Sequence, residues 1–390
     1  MKHQISDVIL TEIKGLWGDE PVAGDSVTPV IKTNNMTYEG YINYSDLTMR
    51  HIEKSKLEKG YLLKGDLLIE KSGGTKYHSV GYVNFFDGEN DKYVCNNFVL
   101  ALRPNATIIR PKYLFYQLKY KYESGKFADC YNKTTGIQNL QVKTYLSKGV
   151  LIPSFGEQDR VIKTLDDITT NIHVKQNQLN KLDSLVKSRF MEMFGNVATH
   201  ESLSSLTTKI TDGSHLPPRG IDQSEYLMLS SQNVHNELSL EGVRYLSKED
   251  FEKENQRTDI QPNDVLLTIV GTIGRTHVVK PGEKYVFQRS VGVIKPMCSK
   301  LDGTYLANYL QTPAAISQLE SGGHGSSQKG IYLQDLKKLQ IPAAEFAEQK
   351  RFASFVELID KSRFIVQSQI KDLQELLDSK MDEYFGGDEE

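Results

Sequence analysis

The sequence predicts a mixed α/β (α+β) protein in which two globular domains alternate with two long helices. Three observations support this prediction: a repeat of the whole plan along the 390 residues, a heptad pattern in two long segments, and matching strand-and-turn patterns in the blocks before those segments. The predicted boundaries are 1–153 for the first globular domain, 154–196 for the first helix, 197–342 for the second globular domain and 343–390 for the second helix.

The repeat is clearest at the two ends of each helical segment. Each copy has an Ile-Pro pair, then a Phe, then a Glu-Gln pair, and nearly forty residues later a terminal Phe-Gly. The copies are Ile152, Pro153, Phe155, Glu157, Gln158, Phe194 and Gly195, and Ile341, Pro342, Phe346, Glu348, Gln349, Phe385 and Gly386. The Phe, the Glu-Gln pair and the Phe-Gly are each shifted by 191 positions (155 to 346, 157 to 348, 194 to 385).

Apolar residues inside both segments recur in steps of three and four, which is typical of a coiled coil. The predicted core positions are Val161, Leu165, Ile168, Ile172, Leu179 and Leu182 in the first helix and Val356, Ile359, Val366, Ile370, Leu373 and Leu377 in the second. Each helix would be roughly 55 Å long at about 1.5 Å per residue, and the two helices can pair with each other. The alternative is two separate amphipathic surface helices. Lys175, Arg363 and Lys380 occupy core-type positions, either to control register or as side chains that reach solvent.

The blocks before the helices also correspond. Leu63-Lys64-Gly65-Asp66 and Gln261-Pro262-Asn263-Asp264 are polar turns, and each leads into an apolar strand. The strands are followed by small-residue turns, Ser72-Gly73-Gly74 in one block and Gly271-Thr272-Ile273-Gly274 in the other. Both blocks are therefore predicted to be globules of one design.

Composition and charge exclude several classes of protein. Cys95, Cys130 and Cys298 are widely spaced and have no histidine cluster nearby, so neither a disulfide framework nor a zinc site is predicted. No window approaches the about 20 apolar residues of a membrane span, and we expect a cytoplasmic protein with no membrane partner. The net charge is −3, but residues 1–150 carry 20 Lys and Arg against 16 Asp and Glu, whereas residues 343–390 carry 6 against 12. The charge permits a nucleic-acid partner for the globular domains.

In their order, these motifs resemble the DNA-specificity subunit of Type I restriction-modification systems. The second half carries the closest matches: Ile210-Thr211-Asp212-Gly213-Ser214-His215, Asp264-Val265-Leu266-Leu267-Thr268 with the turn at 271–274, and Gln328-Lys329-Gly330-Ile331. The first half matches more loosely, with Lys64-Gly65-Asp66-Leu67-Leu68 and Gly136-Ile137-Gln138. Its opening segment through Trp17 lacks the Asp-Gly-Ser-His signature.

The resemblance implies two target-recognition domains that each read one half of a split double-stranded DNA site, separated by an antiparallel coiled coil of the two helices. It further implies that two modification (methyltransferase) subunits dock on the helical parts and that restriction (translocase/nuclease) subunits join them. S-adenosylmethionine, ATP and Mg would then be bound by those partner subunits, and this chain would bind no cofactor or metal. The complex would be an adenine-specific DNA methyltransferase and, with restriction subunits, an ATP-dependent endonuclease.

Candidate DNA contacts lie in polar turns after strands, where backbone N–H groups and short side chains can approach phosphates and base edges. For the first domain they are Lys71, Ser72, Gly73, Thr75, Lys76, Tyr77, His78, Asn132, Lys133, Thr134 and Gln138; for the second they are Ser214, His215, Arg219, Gln232, Asn233, Thr272, Arg275, Gln288, Arg289, Ser327, Gln328 and Lys329. For each residue the alternative is an ordinary solvated turn.

The glycine-rich loop 321–330 is also interpreted as DNA-facing, through an alignment that sets Gly330-Ile331 beside Gly136-Ile137. A nucleotide-binding loop would need a helix directly after its glycines, and a single histidine does not make a metal site.

No catalytic motif is evident. The chain has no GxxxxGK[ST] loop, no Asn/Asp-Pro-Pro-Tyr/Phe methyltransferase motif, no deaminase signature and no HExxH. We therefore expect a non-catalytic protein. Two functions remain open on the sequence alone: DNA sequence recognition, and a coiled-coil adaptor that assembles other proteins without reading sequence.

Overall fold

The structure is a computed structural model that describes residues 3–75, 78–134, 137–321 and 330–387. Its contacts divide the chain into two compact units. Unit 1 contains Met1–Lys175 and Gln369–Glu390, and unit 2 contains Gln176–Ser368. Each long helix therefore contributes one part to each unit.

Unit 1 is built mainly from short strands. These are β1 (His3–Gln4), β2 (Ile9–Lys14), β3 (Thr28–Ile31), β4 (Thr48–Arg50), β5 (Leu67–Glu70), β6 (Ser72–Gly73), β7 (Val83–Phe85), β8 (Val94–Cys95), β9 (Val99–Pro104), β10 (Tyr131–Thr134), β11 (Ile137–Leu140) and β12 (Gly149–Val150). Its helices are α1 (Lys54–Gly60), α2 (Pro111–Glu123) and α3 (Val142–Leu146), and α4 (Phe155–Phe194) begins in it.

Unit 2 repeats this plan. Its strands are β13 (His200–Ser202), β14 (Thr207–Asp212), β15 (Tyr226–Leu229), β16 (Arg244–Leu246), β17 (Val265–Thr268), β18 (Thr276–Val278), β19 (Val286–Phe287), β20 (Val291–Pro296) and β21 (Gln340–Pro342). Its helices are α5 (Lys248–Thr258), α6 (Gly303–Leu310), α7 (Pro313–Ser321) and α8 (Leu333–Lys338), and α9 (Phe346–Phe385) begins in it.

The sheet topologies of the two units are the same. The main sheet is antiparallel, in the order β2-β9-β5-β7 in unit 1 and β14-β20-β17-β18 in unit 2. In the second sheet, β3 pairs antiparallel with β4 and parallel with β8, as β15 does with β16 and β19. The register even shifts at matching places, between Ile9 and Thr11 and between Thr207 and Lys209. The internal repeat predicted from the sequence is therefore a repeat of the fold.

The inner strands β5 and β17 of the main sheets each carry three consecutive apolar residues because both faces of the sheet are covered. In unit 1, Leu67 and Ile69 enter one apolar cluster while Leu68 enters another. In unit 2, Val265 and Leu267 belong to one cluster and Leu266 to a second. A strand buried on both faces has no need of the polar residue at every second position that a half-exposed strand shows.

The two long helices are each forty residues long, and they lie within the two segments that carry the heptad pattern. A capping box starts α4: Ser154 donates its N–H to the Glu157 carboxylate at 3.1 Å, and Glu157 donates its own N–H to Ser154 Oγ at 3.4 Å. The repeated Glu-Gln pair has a structural reason. Gln158 accepts the Arg110 N–H at 2.7 Å, and Gln349 accepts the Asp302 N–H at 2.9 Å, so each buried amide ties a helix start to its globule.

Within each unit the helices pack antiparallel. The start of α4 shares a core with the end of α9 in unit 1, through Val161, Leu165, Ile168 and Leu377 among others. In unit 2 the end of α4 meets the start of α9, where Phe352 lies 5.3 Å from Phe190 and 5.7 Å from Phe194 between ring centroids. The predicted fold class, including the antiparallel pairing of the two helices, is confirmed.

The heptad positions differ in burial along the two helices. Those that are buried include Val161, Leu165, Ile168 and Leu377, whereas Ile172, Leu179, Leu182, Ile370 and Leu373 are half-buried. Val356, Ile359 and Val366 are buried as well. The ends of α4 and α9 are covered by the sheets and short helices of the globules. The heptad residues there therefore pack into the cores of the globules as well as against the partner helix.

Candidate nucleic-acid interface

In unit 2, turns that follow four different strands converge on one edge. Ser214 donates its N–H to the Phe287 carbonyl at 2.7 Å, and its own carbonyl accepts the Arg289 N–H at 2.9 Å. Gln288 donates its N–H to the Leu229 carbonyl at 2.9 Å. Residues predicted from separate motifs therefore lie side by side, held by backbone hydrogen bonds that do not depend on their side chains.

The loop after β17 joins this edge through Ser290. The Ser290 carbonyl accepts the Ile269 N–H at 3.0 Å, and its hydroxyl accepts the Ser231 N–H at 3.0 Å. Gly271 lies against Ser231, since a Cβ built on it would be 3.8 Å from Ser231 Oγ. We call the turns at 213–215, 229–232, 268–275 and 287–290 the unit 2 edge.

Side chains on the unit 2 edge differ in how accessible they are. Those that project to solvent are His215, Arg219, Gln232, Thr272 and Arg289; Arg275 and Gln288 are half-buried, and Ser214 and Asn233 are buried. Arg219 lies beyond the turn itself, on the segment that leads to β15. The exposed group supplies two guanidinium groups and one amide to an approaching ligand.

Asn233 is a correction to the predicted contacts. It is 2% exposed, and its Oδ1 accepts the Ser230 N–H at 2.9 Å while its Nδ2 donates to the carbonyls of Ser239 and Glu241 at 3.0 and 2.9 Å. Because both ends of the amide are used inside the loop, we assign Asn233 to the support of the loop and leave it out of the proposed contact set.

The Asp-Gly-Ser-His motif has a second structural purpose. His215 Nε2 lies 2.7 Å from Asp212 Oδ2, and the other carboxylate oxygen of Asp212 pairs with the Arg257 guanidinium. Arg257 Nε also donates to the Asp212 carbonyl at 2.8 Å. His215 is thus oriented by a buried carboxylate, while more than half of its side chain remains exposed.

A polar cavity of about 460 Å³ opens beside Gln288. Its walls include Asp222, Ser230, Arg244 and Tyr245, none of which was among the residues predicted from the sequence. Arg244 is held there by the hydrogen bond from Nη1 to the Pro218 carbonyl at 2.8 Å. A strand residue such as Arg244 carries no local signal of this role, because its neighbours come from distant parts of the chain.

Unit 1 has an edge of the same construction. Leu16 donates its N–H to the Cys95 carbonyl at 2.7 Å, and Asn96 donates to the Ile31 carbonyl at 2.9 Å. Lys71 donates to the Phe98 carbonyl at 2.7 Å. The bond from Leu16 matches that from Ser214, the bond from Asn96 matches that from Gln288, and the bond from Lys71 matches that from Ile269. The counterparts of Ser214, Gln288, Arg289 and Ser290 are therefore Leu16, Asn96, Asn97 and Phe98, in that order.

The counterparts at 16 and 96–98 were not among the residues predicted from the sequence. The missing Asp-Gly-Ser-His signature is replaced by Lys14-Gly15-Leu16-Trp17, which keeps the glycine. A Cβ on Gly15 would lie 1.8 Å from the Asn96 carbonyl oxygen, and one on Gly213 would lie 2.1 Å from that of Phe287. A glycine directly after the first strand of the main sheet was the signal available in both copies.

Two predicted loops of unit 1 are brought together as a small sheet in the order β10-β11-β6. Ser72 pairs with Asn139 and Gly73 with Gln138, and Ser72 Oγ donates to Asn139 Oδ1 at 2.7 Å. Asn132 is exposed, and its Oδ1 accepts from Gln141 Nε2 at 2.8 Å. Lys133 and Thr134 lie in β10.

The turn after β6 is held at its two ends. Thr75 donates its N–H to the His78 carbonyl at 2.7 Å, and the exposed His78 ring stacks on Tyr38 at 3.7 Å between centroids. Lys71 is half-buried. The predicted contacts Lys76, Tyr77, Ser327, Gln328 and Lys329 lie outside the described residues.

Gly73 and Gly74 cover a buried carboxylate. Both have positive φ angles (136° and 70°), and a Cβ on Gly73 would lie 2.5 Å from Glu70 Oε1. Burial raises the pKa of Glu70 above its ordinary value, against the opposing effect of the hydrogen bond from the Gly74 N–H. The glycines are required by this turn whether or not it meets a ligand.

The structure corrects the alignment of the glycine-rich loop. Leu140 donates its N–H to the Lys71 carbonyl at 2.8 Å, and Ile331 donates to the carbonyl of Ile269, the counterpart of Lys71, at 2.8 Å. Leu140 is therefore the counterpart of Ile331, and the predicted match of Ile137 with Ile331 was wrong. A shared Gly-Ile pair is too short to define register across a loop of variable length.

Comparison with known proteins identifies the family. The model of the Type I restriction modification DNA specificity domain matches residues 18–184 and again 223–375, which together are well over half of the chain. The chain belongs to this family. Both matches fall on the repeated plan of globule and long helix described above.

Two curated specificity subunits are similar to this chain. The putative type I restriction enzyme MjaX specificity subunit of Methanocaldococcus jannaschii is 22% identical over 323 residues, which cover 79% of this chain and 75% of that protein. The type I restriction enzyme EcoBI specificity subunit of Escherichia coli is 28% identical over 134 residues, 34% of this chain and 28% of that protein.

Solved structures share the fold. The S subunit of a Type I restriction-modification system from M. genitalium has a TM-score of 0.53 and 13% identity, with 98% of this chain and 94% of that chain covered. A chain from a study of complex assembly and conformational transition of the type I R-M system has a TM-score of 0.53 and 15% identity, with 100% and 98% covered.

Family membership makes this chain a specificity subunit, and specificity subunits are non-catalytic DNA-recognition proteins. Among the described residues, no group of three or more His, Cys, Asp or Glu side chains is placed to hold a metal ion. None of the described helices has the length and apolar content that a membrane span requires.

Proposed function

We propose that this specificity subunit binds a bipartite double-stranded DNA target, with each unit reading one half-site through the edge described above. In this proposal the target-recognition domains are 1–153 and 197–342, and the helical segments are 154–196 and 343–390. One observation carries the proposal: the two edges have the same backbone hydrogen bonds but different side chains. An equivalent frame with different side chains is what two readers of different sequences require.

The side chains on the edges suit base and phosphate contacts. The exposed Arg289 can donate two hydrogen bonds to guanine, and the amides of Gln232, Gln288 and Asn97 can each pair with adenine, with each such pairing contributing about 1–3 kcal/mol of discrimination. Lys71 and the backbone N–H groups of the turns would instead position phosphates.

The repeat of the long helices supports the proposed docking of two partner subunits. Two forty-residue helices in the same phase offer two similar surfaces, one per unit, to two modification (methyltransferase) subunits, and restriction subunits would join through them. S-adenosylmethionine, ATP and Mg would be bound by those subunits, with no cofactor on this chain. In this proposal the complex acts in the cytoplasm.

The test is to map methylated bases in cells that carry the subunit together with its modification subunits. Arg289→Ala and Gln288→Ala are expected to alter only the second half-site, Asn97→Ala only the first, and exchange of residues 1–150 for the same block of another family member is expected to replace the first half-site. Lys284→Ala, an exposed residue of unit 2 away from the edge turns, is the matched control and is expected to leave the motif unchanged.

An unchanged first half-site after the exchange would contradict the proposal. If charge removal at Arg289 also left DNA affinity untouched at matched salt, the adaptor function without sequence readout would be favoured.

A further inference from the structure

Phe98 presents an apolar ring to solvent on the unit 1 edge. It is 55% exposed, and it follows Asn96 and Asn97 in the short turn between β8 and β9. Its backbone is fixed, because its carbonyl accepts the N–H groups of Lys71 at 2.7 Å and Ser72 at 3.2 Å. The position of the ring is therefore set by the sheet and not by packing of the ring itself.

The ring has no evident purpose in folding. Phe98 is absent from the apolar clusters formed by the described residues of unit 1. Its counterpart in unit 2 is Ser290, in a turn closed by the same hydrogen bond: Val99 to Asn96 in one copy and Val291 to Gln288 in the other, both at 3.0 Å. The same turn thus folds with a serine, and the phenyl ring is a feature of unit 1 alone.

Building on the proposed function, we propose that the Phe98 ring contacts the C5-methyl group of a thymine in the major groove of the first half-site. Apolar contact with this methyl group is one of the few ways in which an uncharged ring can select a base. Polar atoms on neighbouring base edges would meet Asn97, the residue before Phe98, and Ser72, whose N–H binds the Phe98 carbonyl.

Partial burial favours a groove contact over insertion between base pairs. A side chain that kinks DNA as a wedge must place most of its ring between two bases. Nearly half of the Phe98 surface is covered by the protein, and its carbonyl is held by the N–H groups of Lys71 and Ser72 between β5 and β6. A residue covered to this extent suits contact with a groove surface better than full insertion of its ring.

The test compares Phe98→Ser and Phe98→Leu in the complete subunit with its modification subunits. Methylated-base mapping is expected to show that Phe98→Ser loses the preference for thymine at one position of the first half-site, with the second half-site unchanged. Phe98→Leu should retain most of that preference. Leu10→Ser, at a 66% exposed position of β2, is the control and should leave the motif unchanged.

A binding measurement isolates the methyl group. When deoxyuridine replaces that thymine, wild-type affinity is expected to fall roughly 3- to 10-fold, whereas Phe98→Ser should show no further loss. Circular dichroism and a thermal melt of Phe98→Ser verify that it is folded.

Two results would overturn the assignment to thymine. One is an unchanged motif in Phe98→Ser. The other is that Phe98→Ser binds more weakly whichever base stands at that position, and that it also loses a fluorescence increase of 2-aminopurine, which reports base unstacking, seen with the wild type. This result would indicate that the ring inserts between base pairs as a wedge. Either result would leave the proposed function intact, because that function is tested separately by the exchange of residues 1–150. If the exchange left the first half-site unchanged, the proposed function would be wrong, and this inference would be wrong with it.

Discussion

Arg103 and Asp66 form a two-point ion pair beside the main sheet of unit 1. Arg103 Nε lies 2.8 Å from Asp66 Oδ1, and Nη2 lies 2.8 Å from Oδ2. Asp66 is 1% exposed and also accepts the Leu63 N–H at 2.8 Å. In unit 2 the matching Asp264 pairs with Lys295 and accepts the Gln261 N–H at 2.8 Å. In both units, the aspartate of the repeated polar turn thus closes the turn and pairs with a positively charged side chain of the main sheet.

Replacing Asp66 is expected to destabilise unit 1. Asp66→Asn keeps the size of the side chain but leaves Arg103 without its anion. Breaking a buried pair typically costs about 3–5 kcal/mol of unfolding free energy, and because the Arg103 side chain is 23% exposed we expect about 2–4 kcal/mol here. Trp17, the single tryptophan, lies in unit 1 and reports its unfolding in urea by fluorescence. Asp167→Asn, which breaks an exposed pair with Lys163, should cost less than about 1 kcal/mol. Equal losses in the two variants would contradict this account.

The glycine at the start of each edge is predicted to be irreplaceable. In Gly213→Ala the new methyl group would meet the Phe287 carbonyl at 2.1 Å, and both backbones would have to shift. We expect a loss of about 1–3 kcal/mol in urea unfolding followed by circular dichroism. Gly156, in the first turn of α4, has no atom within 4 Å of a built Cβ, so Gly156→Ala should be neutral or gain up to about 1 kcal/mol. A Gly213→Ala protein as stable as the Gly156→Ala control would refute the close-approach argument.

Arg363 interrupts the heptad of α9 and pairs with α4. Its Nη2 lies 2.8 Å from Asp183 Oδ1, and its other terminal nitrogen pairs with Asp360. This contact favours register control for Arg363, whereas Lys380 pairs with Glu383 on its own helix. Both acidic partners of Arg363 are about half exposed and can be hydrated if it is lost.

Arg363→Leu should therefore change unfolding free energy by only about 0 to +1 kcal/mol, because an apolar residue completes the heptad. Arg363→Glu, which faces two carboxylates, should lower it by about 2 kcal/mol. Thermal melts of the two variants, with Lys361→Leu on the exposed face of the same helix as control, measure the difference. A large loss in Arg363→Leu would indicate that the ion pair stabilises the helices as well as setting their register.

Acid is expected to loosen the loops of unit 2 through Glu283. Burial alone would raise its pKa, but the hydrogen bond from His277, the Lys280 N–H and the charges of both residues outweigh it and lower the pKa below its ordinary value of 4.5. A lowered pKa in the folded state means that the stabilisation is complete above about pH 4.5 and is lost as pH falls through the folded-state value. Urea unfolding between pH 3 and 7 should show that the free energy of unfolding falls at the acidic end of this range, and Glu283→Gln should reduce that fall. If the fall is as large in Glu283→Gln as in the wild type, other carboxylates cause the acid sensitivity.

Local sequence was sufficient for the helices and for the repeat. The heptads and the terminal Phe-Gly pairs are encoded within a few residues of the positions they define, and α4 and α9 lie within the segments that carry these signals. The strand-end turns with Lys71, Ser72, Gln288 and Arg289 were also found, because polar residues after an apolar run are a local pattern.

The edges themselves were decided by tertiary structure. Leu16, Asn96 and Phe98 became candidates only when hydrogen bonds between turns that are distant in sequence matched those of Ser214, Gln288 and Ser290. Asn233 was excluded because its amide turns inward, which its neighbours in sequence do not reveal. The sequence by itself determined that this protein is two copies of a globule and a long helix, since periodicity and end signals act over short range; which turns meet at one edge was decided by strand pairing between distant segments, which a linear pattern does not contain.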